Sequence, residues 1–214
     1  AQTRFPEASK SPWASWTARL SCAGESRRRR SRSIRRTPST WAKGSPAQID
    51  NTVLWLDNKG MVQILRGYEN KRVSTHKEEY RIRLHTNAEL RDATAFAYAQ
   101  EGHSFYQLTV GNETFVYDAA IQNPEAAWHK RAYLVPSTGL PIQHRAICHA
   151  FFSGKNLGGD FENGKVYSYD SAAYTDNGDT MQAIWTFRHL DAQGLPVSYD
   201  GLEIEVESGV GTQT

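Results

Sequence analysis

Seven histidines, 23 acidic residues and two cysteines are the side chains that could ligate a metal or move a proton. Histidine builds metal sites when a second ligand follows at His-x-His or His-Glu-x-x-His spacing, and none of the seven has such a neighbour. His144 and His149 come nearest, but five residues of strand would put their rings on opposite faces. Asp176-Asn-Gly-Asp179 opens like a calcium loop, yet it lacks the twelve-residue ligand series that ends in Glu. It reads as a turn. Asp118 and Asp170 stand at matching places in two similar stretches, which suits a repeated turn cap better than a pair of catalytic carboxylates. The chain contains no Gly-x-Ser-x-Gly elbow, phosphate-cradling loop or dinucleotide fingerprint. Asn112-Glu-Thr114 has the form of a glycosylation acceptor and reads as a hairpin turn. Cys22 and Cys148 are too few for a disulfide framework and read as free thiols. The expectation is no catalytic residue, no cofactor-binding residue and no metal ligand. Such a chain works by binding or by building.

The elements that carry these residues repeat. Residues 95–118 run as two alternating apolar segments, then a Gly111-Asn-Glu turn, then Thr114-Phe-Val-Tyr-Asp118. Residues 146–170 say nearly the same, with Gly154 answering Gly102 and Tyr169-Asp170 answering Tyr117-Asp118 at an interval of 52 residues. Val53-Leu-Trp-Leu56 lies one interval before Phe105-Tyr-Gln-Leu108, which makes a third copy. Short strands separated by Gly and Asn, repeating every ~40–50 residues, are the habit of propeller blades. Phe105 and Gln107 oppose Tyr106 and Leu108, so aromatics fall on both faces of one strand, as blades packed on two sides require. A β-sandwich would repeat less regularly.

In chain order, residues 47–50, 53–57, 61–65 and 72–74 are expected as the strands of the first blade. Thr75 with Glu78 predicts a capped helix over 75–84. Trp128 to Tyr133 is the expected outer strand of the second blade, and residues 182–188 that of the third. Leu202, Ile204 and Val206 alternate with glutamates as one further strand, before Gly209-Val-Gly211. The fold class is therefore all-β: a β-propeller of about three blades of four antiparallel strands, with one short connecting helix. Three blades do not close a ring of four to eight. An open blade face would leave several large side chains in water at ~1.5–3 kcal/mol each, so the ring is expected to be completed by neighbouring subunits or by further chain. The longest apolar run, at 95–99, is far short of the ~18 residues of a membrane span.

Charge divides the chain at about residue 45. Residues 1–45 hold 11 Lys/Arg against two acids, whereas residues 46–214 hold 14 against 21. The first segment has no apolar period, and its like charges repel, so it is expected to be a disordered arm. Arg27, Arg28, Arg29 and Arg30 could touch DNA phosphates in a salt-sensitive, sequence-independent way. The abrupt change in composition leaves open a segment that is not native to the domain. The organisation expected is a basic arm over 1–45 and a partial propeller over 46–214.

Several motifs in one order carry a resemblance. They are Phe115-Val-Tyr-Asp118, Trp128-His-Lys-Arg-Ala132, His149-Ala-Phe-Phe-Ser-Gly-Lys155, Lys165-Val-Tyr-Ser-Tyr-Asp170, Tyr174-Thr-Asp-Asn-Gly-Asp179 and Glu207-Ser-Gly-Val-Gly211. Across about residues 47–211 the chain resembles the packaged-DNA stabilisation proteins of short-tailed bacteriophages. The resemblance implies a virion structural protein with a propeller fold and no catalytic residues. It implies a homo-oligomeric ring in the tail hub, seated on the portal-side tail accessory protein. There it would close the DNA exit channel and receive the tail needle and tailspike. The implied location is the virion, with assembly in the host cytoplasm. Residues 1–45 depart from the family pattern. The alternative is a kelch-like propeller that binds protein or glycan. Gly158-Gly159 and the spacing from Tyr117 to Trp128 suit it, but kelch would be expected to place Gly-Gly in every blade.

Overall fold

The computed structural model describes residues 42–186 together with Ser198, Gly201 and Glu203. Three antiparallel sheets lie side by side. The first runs β1 (Ala47–Ile49), β2 (Thr52–Leu56), β3 (Val62–Arg66) and β4 (Glu69–Arg72), each paired with the next. Helices α1 (His76–Arg83) and α2 (Asn87–Arg91) lead to the second. That sheet comprises β5 (Thr94–Gln100), β6 (His103–Val110), β7 (Glu113–Asp118), β8 (Trp128–Leu134) and β9 (Pro141–Gln143). The third holds β10 (Ala146–Phe152), β11 (Lys155–Asp160) and β12 (Val166–Ser168), and β13 (Thr175–Asp176) pairs with β14 (Asp179–Thr180) as a separate small hairpin.

Two-residue turns set the repeat. Ile49 pairs with Thr52, Gln100 with His103 and Phe152 with Lys155, so each sheet opens with a tight hairpin at the same place. A type I′ turn needs positive φ at both central residues. Glu101 and Gly102, at φ 52° and 81°, and Ser153 and Gly154, at 50° and 76°, supply it. Gly44 bridges Thr94 in parallel fashion, so β1 and β5 run the same way and their turns share one end of the molecule.

The main core is the seam between the first two sheets. Leu54, Leu56, Val62 and Ile64 meet Tyr106, Leu108, Phe115, Tyr117 and Trp128, and Ile82 of α1 and Leu90 of α2 join them. Burial of each such side chain contributes ~1.5–3 kcal/mol. The described body reaches back into the stretch read as arm. Ala42 is buried in this core, and Ser45 Oγ donates to Ala42 O at 3.0 Å while accepting from Leu56 N at 3.1 Å. Composition hides this, because the small residues of Ala42-Lys-Gly-Ser45 work through backbone contacts. The remainder of the arm, with its arginines, lies outside the described residues, as does Cys22.

Four expectations change in detail. The fourth strand is Glu69–Arg72 rather than 72–74, because a tight Gly67-Tyr68 turn brings the chain back directly. The Thr75 side chain makes no cap bond to backbone; it donates to the Glu78 carboxylate instead. The capping box forms at the second Thr-x-x-Glu: Thr86 Oγ1 accepts from Glu89 N at 3.3 Å, and Glu89 Oε2 accepts from Thr86 N at 2.8 Å. That box starts α2, a helix the sequence reading omitted. Finally, residues 182–186 do not form the third sheet's outer strand. Tyr133 Oη donates to Asp179 Oδ2 at 2.6 Å, and Lys165 Nζ donates to Asn177 Oδ1 at 2.9 Å. These side-chain bonds tie the β13–β14 hairpin to β8 and to the start of β12, while among the described residues its strands pair only with each other. Residues 187 and 188, the strand expected at 202–206 and the glycines after it lie outside the described residues.

Candidate functional site

The second seam, between sheets two and three, is where the polar and aromatic chemistry gathers. By strand alternation, β5 and β6 turn Phe96, Tyr98, Phe105 and Gln107 toward it. His149 of β10 stacks on Phe96 at 5.7 Å between ring centroids, and Tyr98 lies 4.9 Å from Tyr169. The Arg131 guanidinium sits 5.7 Å over Tyr98 and 5.3 Å over Phe105. Asn156 ties the sheets together: its Oδ1 accepts from His149 Nε2 at 3.0 Å, and its Nδ2 donates to Ala99 O at 2.8 Å.

His144 and His149 do not face apart. Both rings reach Tyr169, at 6.1 Å and 6.5 Å. His144 precedes β10, and a bulge between Ala146 and Cys148 shifts the alternation by one residue. His144 Nδ1 accepts from Ala146 N at 3.2 Å and is 3.3 Å from Gln107 Nε2. Burial pushes its pKa down to about 4, and the Arg131 charge acts the same way. Burial likewise lowers His149. Neutral rings suit a packed seam.

A cleft of about 530 Å³ opens beside this seam, lined by Arg131, His144, Arg145, Tyr169 and Asp176 among others. Arg145 is buried, with Asp160 at 3.0 Å, Glu162 at 3.2 Å and its guanidinium stacked 3.8 Å from the Tyr133 ring centroid. Burial alone would lower its pKa, but bonds to Tyr133 and Asp160 raise it above the ordinary arginine value. The Arg145 charge is therefore committed to its carboxylate partners.

The remaining singled-out residues serve turns. Asp118 Oδ1 accepts from Ala120 N at 2.9 Å, and Asp170 Oδ1 accepts from Ala172 N at 3.0 Å, the same two-residue cap in successive sheets. Asp118 Oδ2 also holds His103 Nδ1 at 2.6 Å. The pair has the form of an acid–histidine dyad, yet among the described residues no hydroxyl or thiol bonds the histidine ring as a nucleophile would. Asn112 occupies the β6–β7 turn, where its Oδ1 accepts from Gln143 N at 3.3 Å. Cys148 is a free thiol. Gly158-Gly159 packs strands closely: a Cβ at Gly158 would lie 2.7 Å from Ala146 Cβ, and one at Gly159 would lie 2.7 Å from Cys148 Sγ. Among the described residues no group of three or more His, Cys, Asp or Glu is placed to hold a metal ion, and no described helix is long and apolar enough to cross a membrane.

The sheet order, the seam packing and the repeated caps define a β-propeller whose conspicuous side chains are spent on architecture. A family model described as "Bacteriophage P22 Gp10, beta-propeller" matches residues 42–174, and the chain belongs to that family of phage packaged-DNA stabilisation proteins. It is accordingly a phage virion structural protein for DNA stabilisation. Ala42, the first matched residue, is buried in the core. No curated protein matches the chain.

Proposed function

We propose that this chain is a subunit of the virion tail hub, assembled in the host cytoplasm, where it closes the portal channel over packaged DNA. It would form a homo-oligomeric ring on the portal-side tail accessory protein and give the tail needle or tailspikes a place to attach. One observation supports this reading beyond the family. The third sheet's outward face, set by alternation along β10, β11 and β12, carries Ala150, Phe152, Leu157 and Val166, and the one charged side chain these strands add to it is Lys155 at the hairpin end, opposite Phe152. Phe152 is 69% and Val166 57% exposed. A sheet face of that composition is built to be covered.

The experiment is genetic. Particles assembled without the chain should package DNA and then lose it, read as nuclease-sensitive genome outside purified capsids. Supplying the chain in trans should restore retention. Full retention in its absence would sink the proposal.

A further inference from the structure

The three sheets turn one end of the molecule toward solvent as a row of hairpin tips, and that end differs from the rest. In the first two sheets the residues before the opening turn are Gln48-Ile49 and Ala99-Gln100; in the third they are Phe151-Phe152. These phenylalanines are 68% and 69% exposed. Tyr68, at the tip of the β3–β4 turn on the same end, is fully exposed. Nothing in turn geometry calls for aromatics here, since the other two sheets make the same turn without them.

The charge around the tips is one-sided. Asp50, Glu101, Glu125 and Asp170 in the connections and Glu69 at the start of β4 are exposed at this end, against Arg66 and Lys155. A surface with that balance repels phosphate and attracts Lys and Arg. Exposed aromatics within an acidic rim have the anatomy of interface anchors.

We infer that this hairpin end docks a different virion protein, one that presents apolar sockets bordered by Lys or Arg. Phe151, Phe152 and Tyr68 fill the sockets, and the acidic turns meet the basic border. The inference rests on the virion reading above and adds which end of the subunit carries the contact. It also turns DNA away from this end.

The test uses the full chain in assembled virions, with Phe151 replaced by a photo-cross-linking phenylalanine analogue. The expected product joins this chain to a different protein, at a segment where apolar residues are flanked by Lys or Arg. Cross-links to a second copy of this chain, to DNA alone or to nothing would overturn the inference. A second measurement is incorporation of the Phe151→Ser/Phe152→Ser double variant and of Glu101→Lys. Each should enter virions at least tenfold less than the parent while melting within a few degrees of it. Equal incorporation would overturn the inference and leave the virion reading standing. A parent chain that is itself missing from virions would defeat both.

Discussion

Tyr106 Oη donates to the backbone carbonyl of Ser45 at 2.8 Å, joining the middle of the second sheet to the strap that precedes the first. Both residues are fully buried. Burial raises the phenol's pKa well above its ordinary range, so the donor is always present. Tyr106→Phe keeps the ring and leaves the carbonyl without its partner, which costs ~1–3 kcal/mol. The urea midpoint should fall accordingly, whereas Tyr68→Phe at the exposed tip should not move it. Equal midpoints for Tyr106→Phe and the parent would show that the strap is not held as described.

Two glycines separate crowding from backbone strain. Gly158→Ala puts a methyl 2.7 Å from Ala146 Cβ and 3.1 Å from the Tyr169 ring. Overpacking of that kind costs ~1–3 kcal/mol. Gly102→Ala meets open space but must hold φ at +81°, which costs ~1–2 kcal/mol. Thermal melts should show both variants destabilised. Only Gly158→Ala should also disturb Tyr169, read as a change in near-ultraviolet circular dichroism.

Much of this fold was legible because propeller blades write their turns locally. Gly102 and Gly154, which the repeat interval matched to each other, both have positive φ in the same turn, and Asp118 and Asp170 cap turns as their recurrence implied. The seams were harder to read. The alternation that separated His144 from His149 ignored a bulge, and no local signal near Cys148 announces one. The choice between two Thr-x-x-Glu spellings was settled by tertiary contacts. Glu79, beside the first, is drawn into the core by Ser74 at 2.7 Å and Arg72 at 2.5 Å. Residues 42–45 were read as arm because Ala, Gly and Ser carry little hydropathy, although their backbone is what the core uses. The hairpin end could have been noticed in the sequence by aligning the three opening turns, where Phe151-Phe152 stands out against Gln48-Ile49 and Ala99-Gln100.

Glu113 fastens the second sheet to α1. It accepts from Lys130 Nζ at 2.8 Å and from the Arg81 guanidinium, and His85 Nε2 lies 3.3 Å away. Partial burial pushes its carboxyl up, but Arg81 and Lys130 more than offset this and hold it at about 2. A depressed carboxyl stabilises the fold above its unfolded pKa, and that stability is lost as pH falls from about 4.5 toward 2. The full shift would be worth ~3 kcal/mol, but Arg81 and Lys130 are nearly half exposed, so ~1–2 kcal/mol is expected after screening. Glu113→Gln should be less stable than the parent at pH 6 by about that amount, with the gap closing toward pH 2. A gap independent of pH would rule out the ion pairs as its source.

His144 acts in the same direction as Glu113, but at a higher pH and through burial rather than ion pairing. Its Nδ1 accepts from Ala146 N, so the bonded form is the neutral ring, and its folded pKa is about 4. An unfolded histidine titrates near 6.5. Between these values the unfolded chain binds the extra proton and the folded one does not, so stability falls as pH is lowered through 6.5 to 4. The loss approaches ~3 kcal/mol for this one buried ring. His144→Asn offers an amide oxygen near the position of Nδ1 and cannot take the proton. It should be less stable than the parent at pH 7.5, by ~1 kcal/mol, and its stability should change less on the way down. The two curves should therefore converge or cross before pH 4.5, above the range where Glu113 begins to titrate. Parallel curves, or a His144 ring that titrates near 6.5 by NMR, would mean that the ring sits in water and that the second seam is looser than these distances describe.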